Sequence, residues 1–471
     1  MGTALTANSG PFVVVPAEKV PVVSEVDVLV CGGGPAGVCA AVAAARRGAR
    51  VMLVERYGFF GGMSTAGLVV IWHKLYGMDL ETQVIRGLPE ELVERLARRN
   101  AVRNSRPDGR GHFTIDTEQA KLVFDEVILD AGVTPLLHTW ASNVILDGNR
   151  IDTVIVQNKS GRQAIRARFV IDATGDADIA ARAGVPWEKG DERGLMQPPS
   201  LCFRLGGLDM ERARREEYGK RLAEALNKPM DYNGQEYPNF LWTAPNLYRK
   251  DEMMLAGVRV TEIDATDSSS FTRAEMEGRR QLEWVVAQLR AHVPGFEQAH
   301  IVDIATQIGI RETRRVVGEY VLQEEDVLEG VRFPDVIAQG TYPIDIHNPL
   351  RRGIIFKEID GTMREILEDG SRRHGYWTED GRPRDTVCYQ VPYRCLVPKN
   401  RSNLLVAGRC ISTTHESHGA TRVMVNCMQF GQAAGVAAAL CADGNLSARD
   451  LPTERLHEAL AEQGCSFLGA T

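Results

Sequence analysis

Val26-Asp27-Val28-Leu29-Val30-Cys31-Gly32-Gly33-Gly34-Pro35-Ala36-Gly37, followed after a helix-length stretch by Val51-Met52-Leu53-Val54-Glu55, decides the fold of this chain. It reads as strand, glycine turn, helix, strand, acid. Gly32 permits a tight turn, Gly34 lets a pyrophosphate approach the backbone, and Gly37 lets the helix lie close to the sheet. Pro35 and Ala36 open that helix, whose unpaired N–H groups and positive dipole end face the phosphates. Glu55 ends the second strand at the spacing of an acid that accepts ribose hydroxyls, with Arg56 beside it. The β-branched run before the glycines and the alanines from Ala40 to Ala45 after them supply the context that bare glycines lack.

At 471 residues the chain is too long for one ordinary core, and two domains are expected. A net charge of -7 leaves no basic stripe for nucleic acid. Nine scattered cysteines without a C-x-x-C pair argue against a zinc knuckle or other metal site and against a disulfide framework, and they favour a reducing, cytoplasmic setting. No run of about 18 apolar residues is present, so no membrane span is expected. Met1-Gly2 with Thr6 matches a minimal acylation pattern that is too short to carry weight.

Proline punctuates an extended lead-in over residues 1–24 at Pro11, Pro16 and Pro21. Paired Gly61 and Gly62, followed by Met63, form a loop able to approach a flat ligand closely. Asp116 to Gly132 reads as an amphipathic helix, and the alternating segments from Val133 to Ile171 read as an antiparallel meander. Phe169 to Asp176 reads as a return to the main sheet, ending in small residues at Thr174 and Gly175. Charged helices are expected at Met210 to Leu226 and Arg273 to Leu289. Another strand at Leu404 to Val406 precedes a long small-residue helix from Gly419 to Leu440. Cys410, just past that strand, reads as a small buried hydrophobe.

Gly32 to Gly37, Gly61-Gly62, Ala173-Thr174-Gly175-Asp176-Ala177-Asp178 and Asn403-Leu404-Leu405-Val406-Ala407-Gly408-Arg409 together resemble the FAD-dependent oxidoreductases of the glutathione-reductase-type Rossmann superfamily. Arg311-Glu312-Thr313-Arg314-Arg315 and Tyr342-Pro343-Ile344-Asp345-Ile346-His347 resemble segments of a bacterial branch of that group. The resemblance implies an α/β fold: a glutathione-reductase-type FAD-binding Rossmann domain carrying an inserted mixed α+β substrate-binding domain. The boundaries it suggests are 25–190 and 386–445 for the FAD-binding parts, 191–385 for the substrate-binding or capping part, and 446–471 for a C-terminal helix and tail. It implies non-covalent FAD held by Gly32, Gly34, Pro35, Ala36, Gly37, Glu55, Arg56, Gly61, Gly62, Met63, Thr174, Gly175, Gly408, Arg409 and Asn426.

His418-Gly419-Ala420-Thr421-Arg422-Val423-Met424-Val425-Asn426 is distantly similar to the H-G-x-x-R-x-x-x-N spacing of fumarate reductase flavoproteins. That similarity implies His418 or His415 as a proton acceptor, Arg422 as a substrate anchor, and Arg311 as a further catalytic candidate. Met424-Val425 replaces that family's Gly-Gly, which argues against fumarate itself. Arg311 and Arg315 also read as interface ion pairs, and His415 and His418 as structural histidines. Asp345 and His347 are candidate substrate contacts. A second glycine-rich nucleotide site is missing between residues 180 and 400, so electrons are expected to come from the organic substrate. They would pass to oxygen, a quinone or a redox protein.

The leading expectation is an FAD-dependent dehydrogenase or oxidase that takes a hydride from a small polar substrate bearing a hydroxyl, amine or carboxylate. The alternative is a reductase of an activated C=C bond, with Arg311 as proton donor. A dinucleotide-binding module without chemistry is the third. The sequence leaves the oligomeric state open, a homo-oligomer included.

Overall fold

The computed structural model describes residues 13–226 and 241–469. The start of the lead-in, with Pro11 and the Met1-Gly2-Thr6 pattern, and the last two residues of the tail lie outside the described residues. The strand Val22–Cys31 is the middle of the main sheet, and Val28, Leu29, Val30 and Cys31 are completely buried. Burial on both faces explains why this strand reads as a continuous apolar run rather than an alternation.

On one side it pairs in parallel with Val51–Val54, which pairs in parallel with Thr134–Leu136. On its other side it pairs in parallel with Gly161–Asp172, and Leu404–Val406 joins that strand in parallel as well. Arg150–Asn158 and Trp140–Asp147 continue the sheet antiparallel. The antiparallel meander therefore comprises three strands, while Thr134–Leu136 belongs to the parallel part. Cys31 is in register with both Val54 and Asp172, and Asp172 is in register with Val406. Four parallel strands thus end along one edge, where the glycine turn, the loop after Glu55, Ala173 to Gly175 and Ala407 to Arg409 all emerge. In open α/β sheets that edge is where ligands bind.

Two helices cover this sheet face through their smallest residues. Helix Pro35–Arg46 is fully buried along Ala40 to Ala44, and helix Met424–Gly444 is buried around its whole circumference over most of its length. A Cβ on Gly431 would lie 2.0 Å from the Ala36 carbonyl oxygen, and one on Gly435 would lie 2.1 Å from that of Ala40. Only glycine permits this approach. Among the described residues no single helix is long and apolar enough to cross a membrane; the apolar helix Met424–Gly444 packs inside the protein.

The long C-terminal helix is shorter than its composition suggests. His415–Thr421 is a separate helix, bent 93° from Met424–Gly444. The break falls where Arg422 closes the short helix, its N–H reaching the His418 carbonyl, and Val423 turns extended. The expected helix over Met210 to Leu226 also divides, into Met210–Arg215 and Tyr218–Leu226, with Glu217 at a φ of 59° between them. Thr117–Asp130 bears out the amphipathic helix, capped by Asp116, whose carboxylate accepts from the Gln119 N–H. The second charged helix runs longer than expected, from Ser268 to His292.

Between Trp187 and Pro392 the chain builds smaller sheets of its own. Cys202–Gly206, Trp242–Pro245, Met253–Ala256 and His300–Ile304 form one antiparallel sheet, and Ile344–His347 begins another. Gly419 anchors this second sheet to the short helix: a Cβ there would lie 2.9 Å from the Asp345 carbonyl oxygen. That contact brings His418 and Arg422 to the strand carrying Asp345 and His347.

Candidate functional site

The glycine turn is held by its own neighbours. Gly32 has a φ of 103°, and a Cβ on it would lie 2.4 Å from the Ala173 carbonyl oxygen. A Cβ on Gly37 would lie 1.7 Å from the Gly32 carbonyl oxygen. Gly34 differs, because its φ of -70° suits any residue and the nearest protein atom to a Cβ would be 3.9 Å away, on Gly62. Nothing in the protein requires glycine there, and Gly34 faces the adjoining cleft. Gly61, at a φ of 107°, donates its N–H to the Gly33 carbonyl and so ties the second glycine loop to the first.

Gly32, Gly34, Pro35, Ala36, Glu55, Arg56, Gly62, Met63, Thr174, Gly175, Gly408, Arg409 and Arg422 all line this cleft, which is open to solvent and spans about 670 Å³ of atom-free space. Tyr57, Ala173, Gln307, Met424 and Cys427 complete its wall. A second hollow of about 400 Å³ shares Gly32, Glu55, Arg56 and Thr174 with it and extends to Trp140 and Asp178. Two helix N-termini meet at the cleft, those of Pro35–Arg46 and Met424–Gly444. Neither has a side-chain cap or an acid in its first turn. Their unpaired N–H groups and positive dipole ends suit a ligand with negative charge at two separated places.

Glu55 sits at the strand end with its oxygens engaged, Oε2 by the Gly33 N–H at 2.6 Å and Oε1 by the Tyr57 N–H at 2.9 Å. Burial raises its pKa against these hydrogen bonds. Asp172 organises the loop opposite. Its Oδ1 accepts from the Thr174 hydroxyl and N–H, and its Oδ2 accepts from the N–H groups of Ile179 and Ala180. Arg409 pairs with Asp176 at 2.9 Å and donates to the Ile310 carbonyl, which stretches it beneath Gly175. Arg56 and the Tyr57 hydroxyl both reach Gln307.

Beyond Arg422 lies a polar cluster. Arg422 donates to Asp345 Oδ2 at 3.0 Å, and the Tyr342 hydroxyl donates to the same oxygen at 2.8 Å. His347 Nε2 stands 3.4 Å from Asp345 Oδ1, while the His347 N–H donates to Gln197. Arg311 donates to the Pro198 carbonyl at 2.6 Å and to the Ser200 hydroxyl at 2.8 Å. Burial and neighbouring Arg422 pull its guanidinium down to about 10. His418 is almost completely buried, with neither ring nitrogen hydrogen-bonded. Burial, aided by Arg315 and Arg422, holds its pKa far below the usual imidazole range, and burial with Arg311 and Arg422 does the same for His347. Both rings are neutral at physiological pH.

The remaining candidates separate from this group. His415 Nδ1 lies 3.0 Å from Glu312 Oε1, which also pairs with Arg315, so His415 is committed to a buried three-residue network. Asn426 does not line the cleft; its amide nitrogen donates to the Tyr389 hydroxyl. The two candidate arginines divide between the two readings made of them: Arg315 is in a buried ion pair, while Arg311 donates only to neutral oxygens among the described residues. Cys410 is wholly buried, and burial raises its thiol pKa. Asp172, Gln197, Gln307 and Tyr342 are not named as site residues from sequence: Asp172 and Tyr342 lie in segments singled out for other residues, and Gln197 and Gln307 lie in segments with no spacing to mark them.

Cleft, helix ends and glycine cradle fit a dinucleotide cofactor. The model of the FAD dependent oxidoreductase family matches residues 27–460, and the chain belongs to that family, with FAD as its cofactor. It is 29% identical over 167 residues to a thiamine thiazole synthase of Methanococcus vannielii, covering 33% of this chain and 59% of that protein. It is 30% identical over 200 residues to the thiamine thiazole synthase of Aeropyrum pernix, covering 40% of this chain and 64% of the relative. The chain thus spans about three-fifths of the length of these relatives. Among solved structures, a geranylgeranyl bacteriochlorophyll reductase-like protein from Thermoplasma acidophilum is 12% identical, with 94% of this chain and 84% of that one covered and a TM-score of 0.45.

Proposed function

We propose that this FAD-dependent oxidoreductase oxidises a small polar organic molecule held between the cofactor cleft and the strand Ile344–His347. In this reading residues 25–190 and 386–445 hold FAD in the glutathione-reductase-type manner, and 191–385 form an inserted part that supplies substrate contacts. Gly34 and the two uncapped helix N-termini fit the cofactor: one end offers N–H groups to a pyrophosphate, the other to a ring that gains negative charge on reduction. FAD, when bound, would supply two-electron redox chemistry.

One observation carries the reading. Arg422 lines the cofactor cleft and also pairs with Asp345, next to an imidazole that has no hydrogen-bond partner. Arg422 can fix an oxygen function with its fork of donors. Neutral His418 is free to accept the proton released as an alcohol becomes a carbonyl. An anionic substrate would offset the surrounding guanidinium charges and raise the basicity of that imidazole when it is needed. The match to the thiazole synthases covers too little of this chain to bring their named activity with it.

A second reading draws on Arg311. Its lowered pKa suits a proton donor in the reduction of an activated C=C bond. Anaerobic mixing decides between them. Hydroxy acids, polyols or amines that bleach the oxidised flavin support the first reading, and enoates that reoxidise the reduced flavin support the second. A flavin that none of these compounds reduces rejects the first.

A further inference from the structure

The polar cluster beyond Arg422 is unbalanced in two ways. Among the described residues, His418 Nδ1 and Nε2, Arg422 Nε, Gln197 Nε2 and Asp345 Oδ1 are buried without a hydrogen-bond partner. A folded interior tolerates few such atoms, because each forfeits its hydration for nothing in return. Five in one connected group mark a place where a polar ligand completes the bonding.

Charge is the second imbalance. Arg311 and Arg422 act on one another and on Asp345, and only Arg422 pairs with that carboxylate. Neighbouring charges are already matched, Arg315 with Glu312 and Arg409 with Asp176. His347 and His418 are neutral, and burial with Asp345 keeps the Tyr342 hydroxyl protonated. Arg259 also faces His347 and contacts the Asn348 carbonyl, but it is not among the main charges acting on Arg311 and stands apart from the Arg311–Arg422–Asp345 group. Within the Arg311–Arg422–Asp345 group, two guanidinium groups against one carboxylate leave a single positive charge in poorly solvated surroundings, which is costly until an anion meets it.

We infer that the substrate is a short hydroxy monocarboxylate. Its carboxylate takes the free edge of Arg422 and the positive field of Arg311. Its hydroxyl donates to Asp345 Oδ1, whose companion oxygen is already used by Tyr342 and Arg422. Since Oδ2 of this carboxylate is bonded to the same guanidinium, the two substrate groups are separated by one or two carbons. A zwitterionic amino acid brings no net charge and leaves the excess in place. A dicarboxylate brings one negative charge too many. The inference deepens the oxidation reading: it keeps Arg422 on the substrate and makes Asp345 rather than His418 the first acceptor of the hydroxyl proton.

The test is titration of the FAD-loaded, dithionite-reduced protein under anaerobic conditions, where a hydroxy acid binds without being oxidised. Lactate and glycolate are expected to bind at least tenfold more tightly than acetate, alanine, malate or propane-1,2-diol. Arg422→Met is expected to remove the advantage of lactate over the diol. Asp345→Asn raises the net charge to about +2 and removes an acceptor, so malate should now outbind lactate, and lactate should lose its advantage over acetate. Equal binding of lactate and the diol by the unaltered protein would overturn the inference, as would an unchanged preference for lactate over malate in Asp345→Asn. If lactate binds as described yet never bleaches the oxidised flavin, the substrate class stands and the oxidation reading fails. If a neutral polyol bleaches it and no hydroxy acid binds, the reverse holds.

Discussion

The cofactor cleft and the polar cluster touch at Arg422, yet they are built on opposite plans. In the cleft, shape is set by backbone meeting backbone, as at Gly32 against Ala173 and Gly37 against Gly32, and its acids are engaged by N–H groups. In the cluster, shape is set by long side chains, and several of their polar atoms have no partner. In the cleft the side chains are satisfied and only the two helix ends have bonding capacity to spare, whereas in the cluster the side chains themselves do. A satisfied, close-packed site gives a fixed seat for a resident cofactor, whereas an unsatisfied one lends its bonding capacity to a molecule that must come and go.

The contrast is sharpest at two glycines three positions apart. Gly37→Ala places a methyl group inside contact distance of the Gly32 carbonyl, and we expect it to cost at least about 3 kcal/mol and to abolish FAD retention. Gly34→Ala, whose methyl group meets no protein atom closely, should leave the thermal midpoint of the apoprotein within about 1 °C while FAD affinity falls tenfold or more. Thermal unfolding of apoprotein and flavin absorbance of the purified variants check both. Equal destabilisation of the two apoproteins would break the comparison.

Glu312→Ala tests whether the His415 side of the cluster is scaffold. It strands the buried Arg315 and is expected to cost about 3–5 kcal/mol in urea unfolding. His415→Asn should then resemble it in direction and leave flavin bleaching measurable. Arg422→Met should retain FAD and lose about 10- to 100-fold in the rate of flavin reduction by substrate, the scale of a hydrogen bond to a charged group. An unchanged rate would remove Arg422 from the substrate site.

The smallest effect concerns acid. His347 and His418 are held neutral in the folded protein by burial, so as pH falls below about 6.5 the unfolded chain binds protons that the folded one refuses. Stability is present above that pH and is lost below it, by about 1.4 kcal/mol per pH unit for each such histidine. Unfolding midpoints between pH 7.5 and 5.5 should fall steeply in the unaltered protein and less steeply in His418→Gln.

The two plans also explain what the sequence discloses. The cleft was legible because close backbone approach demands glycine, and glycines at Gly32, Gly37, Gly61 and Gly408 leave a pattern that spacing can find. Asp172 performs a comparable service, tying Thr174 to the helix Asp178–Arg182, yet an aspartate after an apolar run has many other uses. The cluster was legible only in part. His418 and Arg422 share a helix and so a spacing, and Asp345 and His347 share a strand. Tyr342 reaches Asp345 from three residues earlier in the same segment, whereas Gln197 joins them only through tertiary packing. The division of the C-terminal helix was hidden for a related reason, since the small residues from Gly419 onward are compatible with a helix on either side of the bend and do not record it.

The glycine-mediated seam between helices Pro35–Arg46 and Met424–Gly444 has a consequence in time as well as in space. The helix that presents one end of the cleft is synthesised long before the helix that presents the other. A nascent chain therefore carries only half a seat for the cofactor until Gly431 and Gly435 have left the ribosome and closed onto Ala36 and Ala40. A chain truncated before that seam is expected to retain no flavin, which the absorbance of the purified fragment would check.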